Sequence, residues 1–120
     1  MLPKRGEIWL VNLDPTVGAE IQKTRPAIVI SSDYIGKLPL KLVVPITDWK
    51  DSFASDIWHI RIDPTNENGL TKSSAADALQ SRSLDTRRFL RKIGTLLTSD
   101  LQEITRAIAA IIEYQELNDD

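Results

Sequence analysis

At 120 residues, with 42% apolar and 27% charged side chains, the chain has the makeup of one globular domain over residues 1–120, large enough to bury a core. Having no cysteine, it offers no disulfide framework, thiolate nucleophile or cysteine-based zinc site. A net charge of −2 argues against a strongly basic nucleic-acid binder, yet it hides an asymmetry. Glu113, Glu116, Asp119 and Asp120 make an acidic tail, whereas Arg82, Arg87, Arg88, Arg91 and Lys92 cluster upstream. A basic face with an acidic tail fits that distribution, and so does a solvated charged surface. The N-terminus shows no signal peptide and no run approaches membrane length, so the expected location is cytoplasmic.

In chain order, Gly6 to Leu13 reads as a strand ended by the turn residues Asp14-Pro-Thr-Val-Gly18. Trp9 is expected in the core or at a barrel rim. After a polar loop, Pro26 to Ser31 is short and β-branched enough for a buried strand. Residues 32–39 connect to a third strand, Leu40 to Thr47, whose Pro45 calls for an edge position or a bulge. Beyond the loop 48–55, Ile57 to Ile62 alternates, with Trp58, Ile60 and Ile62 on one face and His59 and Arg61 on the other. Turns follow at Asp63-Pro-Thr-Asn66 and Asn68-Gly69. Leu70 to Leu84 is read as strand, Asp85 to Arg88 as a single helical turn, and Arg91 to Leu96 as the last strand. Ser99-Asp-Leu-Gln102 fits a capping box opening a helix with the stripe Leu101, Ile104, Ile108, Ile111 and Ile112. Many short strands closed by one helix point to a small, strongly bent sheet or barrel.

The segment from Gly18 to Ser31 carries the chemistry. A polar loop with Glu20 and Lys23 delivers Arg25 to the mouth of a strand, and Pro26 presets the backbone on both sides of that junction. A guanidinium held there suits a phosphate, although a solvated surface arginine fits the same spacing. There is no glycine-rich phosphate loop, His/Asp metal cluster or nucleophile elbow. His59, the single histidine, falls on the polar face of its strand and is expected at the surface.

Several motifs recur together: Gly6-Glu-Ile-Trp9, Asp14-Pro-Thr16 with Gly18 and Glu20, and Thr24-Arg-Pro-Ala-Ile-Val-Ile30. Val44-Pro-Ile-Thr47, Asn68-Gly-Leu70, Gln80 with Arg82, Leu84, Asp85 and Arg88, and Ile93-Gly94 follow them. In combination they resemble the MazF/PemK toxin family, colinearly over nearly the whole chain. The resemblance implies an SH3-like barrel, mainly β with a C-terminal helix, assembled as a homodimer. It implies a metal-independent, cofactor-free endoribonuclease that cuts single-stranded mRNA at short sequences. A MazE-like antitoxin would neutralise it by laying a disordered C-terminal segment over it. The chain departs from several members in carrying Ile21-Gln-Lys23 where they place a glycine between the loop glutamate and the arginine.

Carried over by position, the family's catalytic arginine falls on Arg25, its threonine on Thr47 and its loop glutamate on Glu20. Lys23, Gln80, Arg82, Arg87 and Arg88 are expected to line the RNA groove. Without a metal, the natural nucleophile is the RNA 2′-OH, and a guanidinium and a hydroxyl would stabilise the phosphorane oxygens. A free guanidinium holds its proton too tightly to act as a base. Glu20 is therefore the preferred proton acceptor, or else a carboxylate that orients Arg25. The alternative is a non-catalytic barrel toxin of the CcdB kind, or an RNA- or partner-binding module. CcdB toxins depend on a C-terminal Trp-Gly-Ile, which Glu-Leu-Asn-Asp-Asp does not provide.

Overall fold

The structure is a computed structural model that describes residues 2–116, so Asp119 and Asp120 of the acidic tail lie outside the described residues. Seven strands form one bent antiparallel sheet: β1 (Glu7–Asn12), β2 (Thr24–Val29), β3 (Leu40–Asp48), β4 (His59–Ile62), β5 (Ser74–Asp77), β6 (Arg82–Asp85) and β7 (Phe89–Thr95). A single helix, α1 (Thr98–Ile111), closes the chain. The strand order is β4-β5-β3-β2-β1-β7, and β6 pairs with the first half of β3. Among the described residues no ladder joins β4 to β7, so the sheet is barrel-like without closing. No helix of the described residues is long and apolar enough to cross a membrane.

The central strands bury both faces, which is why β2 reads as an uninterrupted apolar run. Ile8, Ile28, Val44, Ile46 and Ile62 pack beneath α1 through Ile104. Trp9, Val11, Ala27, Val29, Val43 and Leu84 form the opposite cluster. Trp9 is thus a core residue, set edge-on to Phe89. Its indole N–H donates to Glu7 Oε1 at 3.0 Å. Burial raises the Glu7 carboxyl, but the Lys4 backbone N–H, this indole and Lys92 outweigh it and hold the group below its ordinary range.

Pro45 stands in mid-sheet, neither at an edge nor in a bulge. Leu42 turns both of its backbone groups toward β2, its carbonyl accepting from Ile30 and its N–H donating to Ser31 Oγ. Strand alternation then points the Pro45 nitrogen the other way, toward β5 and β6. There β6 stops at Val43 and β5 begins at Ile46, so the missing N–H faces a gap in the ladder.

Three other expectations are corrected. The 70–84 segment is two short strands broken by a 3₁₀ turn at Ala78–Gln80, because the Asp77 side chain accepts the Leu79 N–H and Ser81 Oγ donates to the Ala78 carbonyl. Trp58 lies in a turn before β4, where its carbonyl accepts from Ala78. The capping box does not form: Leu96 is tied to the Gly6 carbonyl, the chain turns at once, and the helix starts at Thr98 with no side-chain cap. Within the expected apolar stripe Ile104 is buried, whereas Ile112 is exposed at the helix C-cap.

Buried Asn68 organises the loop between β4 and β5. Its carbonyl oxygen accepts from Thr65 and Leu70 and its amide donates to Asp63. Gly94 packs against this loop so closely that a Cβ there would collide with the Glu67 carbonyl and the Asn68 backbone. Gly94→Ala is therefore expected to destabilise the fold by about 3 kcal/mol, read as a drop in the urea midpoint at unchanged slope.

Candidate active site

Arg25 and Thr47 are brought together by register. Val11 pairs with Arg25 across β1–β2, and Ala27 pairs with Pro45 across β2–β3. Continuing the second register by two residues sets Arg25 opposite Thr47, which β5 flanks through Ala75. Strand register thus sets the two residues side by side at the end of the β2–β3 pair. The Arg25 Nε donates to the Gln22 carbonyl at 3.3 Å. Among the described residues no other hydrogen bond or ion pair engages its guanidinium.

Three adjoining hollows make a groove over this pair. The middle one, about 350 Å³, is lined by Ile21, Arg25, Thr47, Phe53, His59 and Asp77, with Asp48, Lys50 and Gln80 at its rim. Arg25, Thr47 and Asp48 also form the wall of a second hollow of about 170 Å³, which continues past Leu70 and Lys72. On the other side Ile21 and Gln80 are shared with a hollow of about 500 Å³ holding Glu20 and Arg82. Such an open, chain-like depression fits an extended polymer better than a compact small molecule.

The expected site residues divide on this geometry. Arg25 and Thr47 meet in the middle hollow. Glu20 does not join them: its Oε1 accepts the Val17 N–H at 2.6 Å, and it faces the outer hollow. Gln80 spans two hollows, but its amide is already bonded to the 19–21 backbone. Arg82 lines the outer hollow and donates to the Leu13 carbonyl. Lys23, Arg87 and Arg88 line none of the three. Arg88 donates to the carbonyls of Asn12 and Asp14, bracing the base of the β1–β2 loop. Arg87 is exposed and paired with Asp85 at 3.0 Å; its hydrogen bonds hold the Asp85 carboxyl below the usual range. Lys23, although not a glycine, adopts a left-handed φ of 72°.

His59 is not the surface residue its strand position suggests. Only 9% of its side chain is exposed, and Phe53 stacks on the ring at 3.7 Å. Nδ1 lies 2.9 Å from Asp56 Oδ2, and Nε2 3.5 Å from Asp77 Oδ2. The sequence does hold a signal for the first contact, since Asp56 precedes His59 by one helical-turn spacing. The second depends on the β4–β5 register, which pairs His59 with Asp77. Asp48, at the end of β3, and Lys50 and Phe53 beyond it carry no sequence motif that marks them.

Comparison with known proteins establishes the family and the fold. Residues 4–112 match the family model described as the PemK-like, MazF-like toxin of type II toxin–antitoxin systems. Endoribonuclease MazF9 of Mycobacterium tuberculosis is 34% identical over 112 residues, covering 88% of this chain and 92% of the relative. Endoribonuclease MazF of Staphylococcus epidermidis is 31% identical, covering 88% and 87%. The crystal structure of MazF from Deinococcus radiodurans superposes with a TM-score of 0.80 at 23% identity, covering 95% of this chain and 99% of that one, which establishes the shared fold. A match over nearly all the described residues, with relatives of similar length that are endoribonucleases, places this chain in the PemK-like, MazF-like toxin family.

Proposed function

We propose that this toxin-family endoribonuclease cuts single-stranded mRNA at short sequences, without a metal ion, by attack of the RNA 2′-OH on the adjacent phosphate. The observation that carries this reading is the pairing of Arg25 and Thr47 in one groove. The 2′-hydroxyl gives up its proton to a base and its oxygen bonds to phosphorus; the 5′-oxygen leaves and takes up a proton from water, and the products are a 2′,3′-cyclic phosphate and a 5′-hydroxyl. Negative charge gathers on the phosphorane oxygens, where the planar guanidinium and the Thr47 hydroxyl donate to it. Incubating the protein with a long single-stranded RNA in EDTA and mapping the ends is the direct test. Cyclic-phosphate ends support the reading, and 5′-phosphate ends overturn it.

Two carboxylates compete for the role of proton acceptor. Glu20 holds the family's position in the loop, and catalytic contacts often tighten only once substrate is bound. Asp48 is the second reading, because it lines both hollows that hold Arg25 and Thr47 whereas Glu20 lines neither. At rest Asp48 is ion-paired with Lys72 at 3.0 Å on the exposed rim.

The working form is proposed to be a cytoplasmic homodimer restrained by a MazE-like antitoxin. The dimer is supported by an apolar strip: Leu38, Leu40 and Leu42 face outward while Lys41 between them is buried, an inversion of ordinary strand patterning. The antitoxin is supported by structural neighbours, among them a mycobacterial endoribonuclease solved with its cognate antitoxin, TM-score 0.75 at 14% identity, covering 97% of this chain and 100% of that one. An acidic, partly apolar tail lying in the groove would exclude RNA. RNA and an antitoxin tail peptide are therefore expected to compete in a fluorescence titration. Simultaneous binding without loss of affinity would overturn the shared groove.

A further inference from the structure

A run of polar contacts leads along the lining of the middle hollow. It starts at Asp56, whose Oδ2 lies 2.9 Å from His59 Nδ1. The far side of the ring, Nε2, faces Asp77 Oδ2 at 3.5 Å. That same carboxylate oxygen accepts from Gln80 Nε2 at 3.4 Å. Gln80 then grips the β1–β2 loop by its backbone: Oε1 accepts the Ile21 N–H at 2.6 Å, and Nε2 donates to the Ala19 carbonyl at 3.3 Å. The residue between those two grips is Glu20.

Three features make the run more than a set of surface contacts. The His59 and Asp77 side chains are each 9% exposed, so the contact between them is shielded from water. Phe53 stacks on the imidazole and covers one of its faces. Gln80 has both ends of its amide committed inside the protein, so one rotamer satisfies the loop and Asp77 together. Other bonds to the loop are few: Val17 and Glu20 bond to each other, the Gln22 carbonyl accepts from Arg25 Nε, and Asp14 and Leu13 hold Lys23 at its base.

We propose that His59 is a positioning residue, which through Asp77 and Gln80 clasps the 19–21 segment and fixes the wall between the Glu20 hollow and the Arg25–Thr47 hollow. The inference rests on the ribonuclease reading for its catalytic consequence but not for the clasp itself. RNA entering the groove then meets a preformed boundary, and the ordering of the loop is borne by the protein before binding. Loss of the clasp leaves Arg25 and Thr47 in place on their strands, so the effect falls on RNA capture more than on the chemical step.

The test uses the full chain with His59→Ala, Gln80→Ala, the double variant and His59→Gln. Amide hydrogen exchange of Ile21 is read in the free protein, and cleavage of a long single-stranded RNA is followed in EDTA. Either single variant is expected to speed Ile21 exchange and to raise KM, each by about tenfold, with kcat changed little. The double variant is expected to be no worse than the worse single one, and His59→Gln to restore part of both signals. Gln80→Ala removes a half-buried amide outside the hydrophobic core and serves as the second arm if His59→Ala is destabilised. Because Gln80 Oε1 is itself the acceptor of the Ile21 N–H, the deciding arm is His59: unchanged Ile21 exchange in His59→Ala, or additive effects in the double variant, would overturn the clasp. Should RNA remain uncut by the unmodified protein while Ile21 exchange responds as expected, the clasp stands and the ribonuclease reading fails.

Discussion

Replacing Arg25 with alanine is expected to lower cleavage in EDTA by roughly 10³-fold or more while leaving the fold intact. Arg25 keeps one bond to the Gln22 carbonyl and otherwise faces the groove, so its removal changes the site without opening the core. What is lost is a planar fork of donors aimed at two phosphate oxygens as their charge grows. Arg25→Lys keeps the charge but not the fork and is expected to be severely impaired too. Thr47→Val, which keeps the β-branched shape of β3 and deletes one hydroxyl, is expected to lose less, roughly 10²-fold. Single-turnover rates on one RNA, beside thermal melts of each variant, provide the comparison. Full activity in Arg25→Ala would remove the basis of the site.

The second large effect separates the two carboxylates. The residue that takes the 2′-OH proton must be ionised to act, so its neutralisation is expected to slow kcat/KM roughly 10²- to 10⁴-fold and to flatten the acid limb of the pH–rate profile. Glu20→Gln does this if the loop swings inward on RNA, and Asp48→Asn does it if the acceptor is the carboxylate beside Thr47. The other variant should alter KM alone. Both limbs unchanged would show that neither carboxylate carries the proton.

The sequence made Arg25 legible because Pro26 and a β-branched run locate a strand mouth without tertiary information. Its pairing with Thr47 is equally local in origin: once β2 and β3 are adjacent, the register that sets Ala27 against Pro45 sets the partners two residues on. His59 was not legible, because a polar residue on an alternating strand faces water only if nothing covers it. Here the 3₁₀ segment Asp51–Ser55 brings Phe53 over the ring. Glu20 shows the opposite case. The motif fixed its place in the chain, but the tight bond to the Val17 N–H decides where its carboxylate points. The capping box likewise fitted its residues and lost to a tertiary constraint, the bond from Leu96 to Gly6.

Pro45 bears on how the family can diversify. Since no ladder bond runs from its nitrogen, the stretch joining β5 to β6 is not templated by β3 at that point. Exchanges at Leu79–Ser81, beyond the buried Ala78, can reshape the groove wall without shifting the register that holds Thr47 against Ala75. A library randomised at residues 79–81 should therefore return many folded members with altered RNA preference. One randomised at 75–77 should return few folded proteins at all.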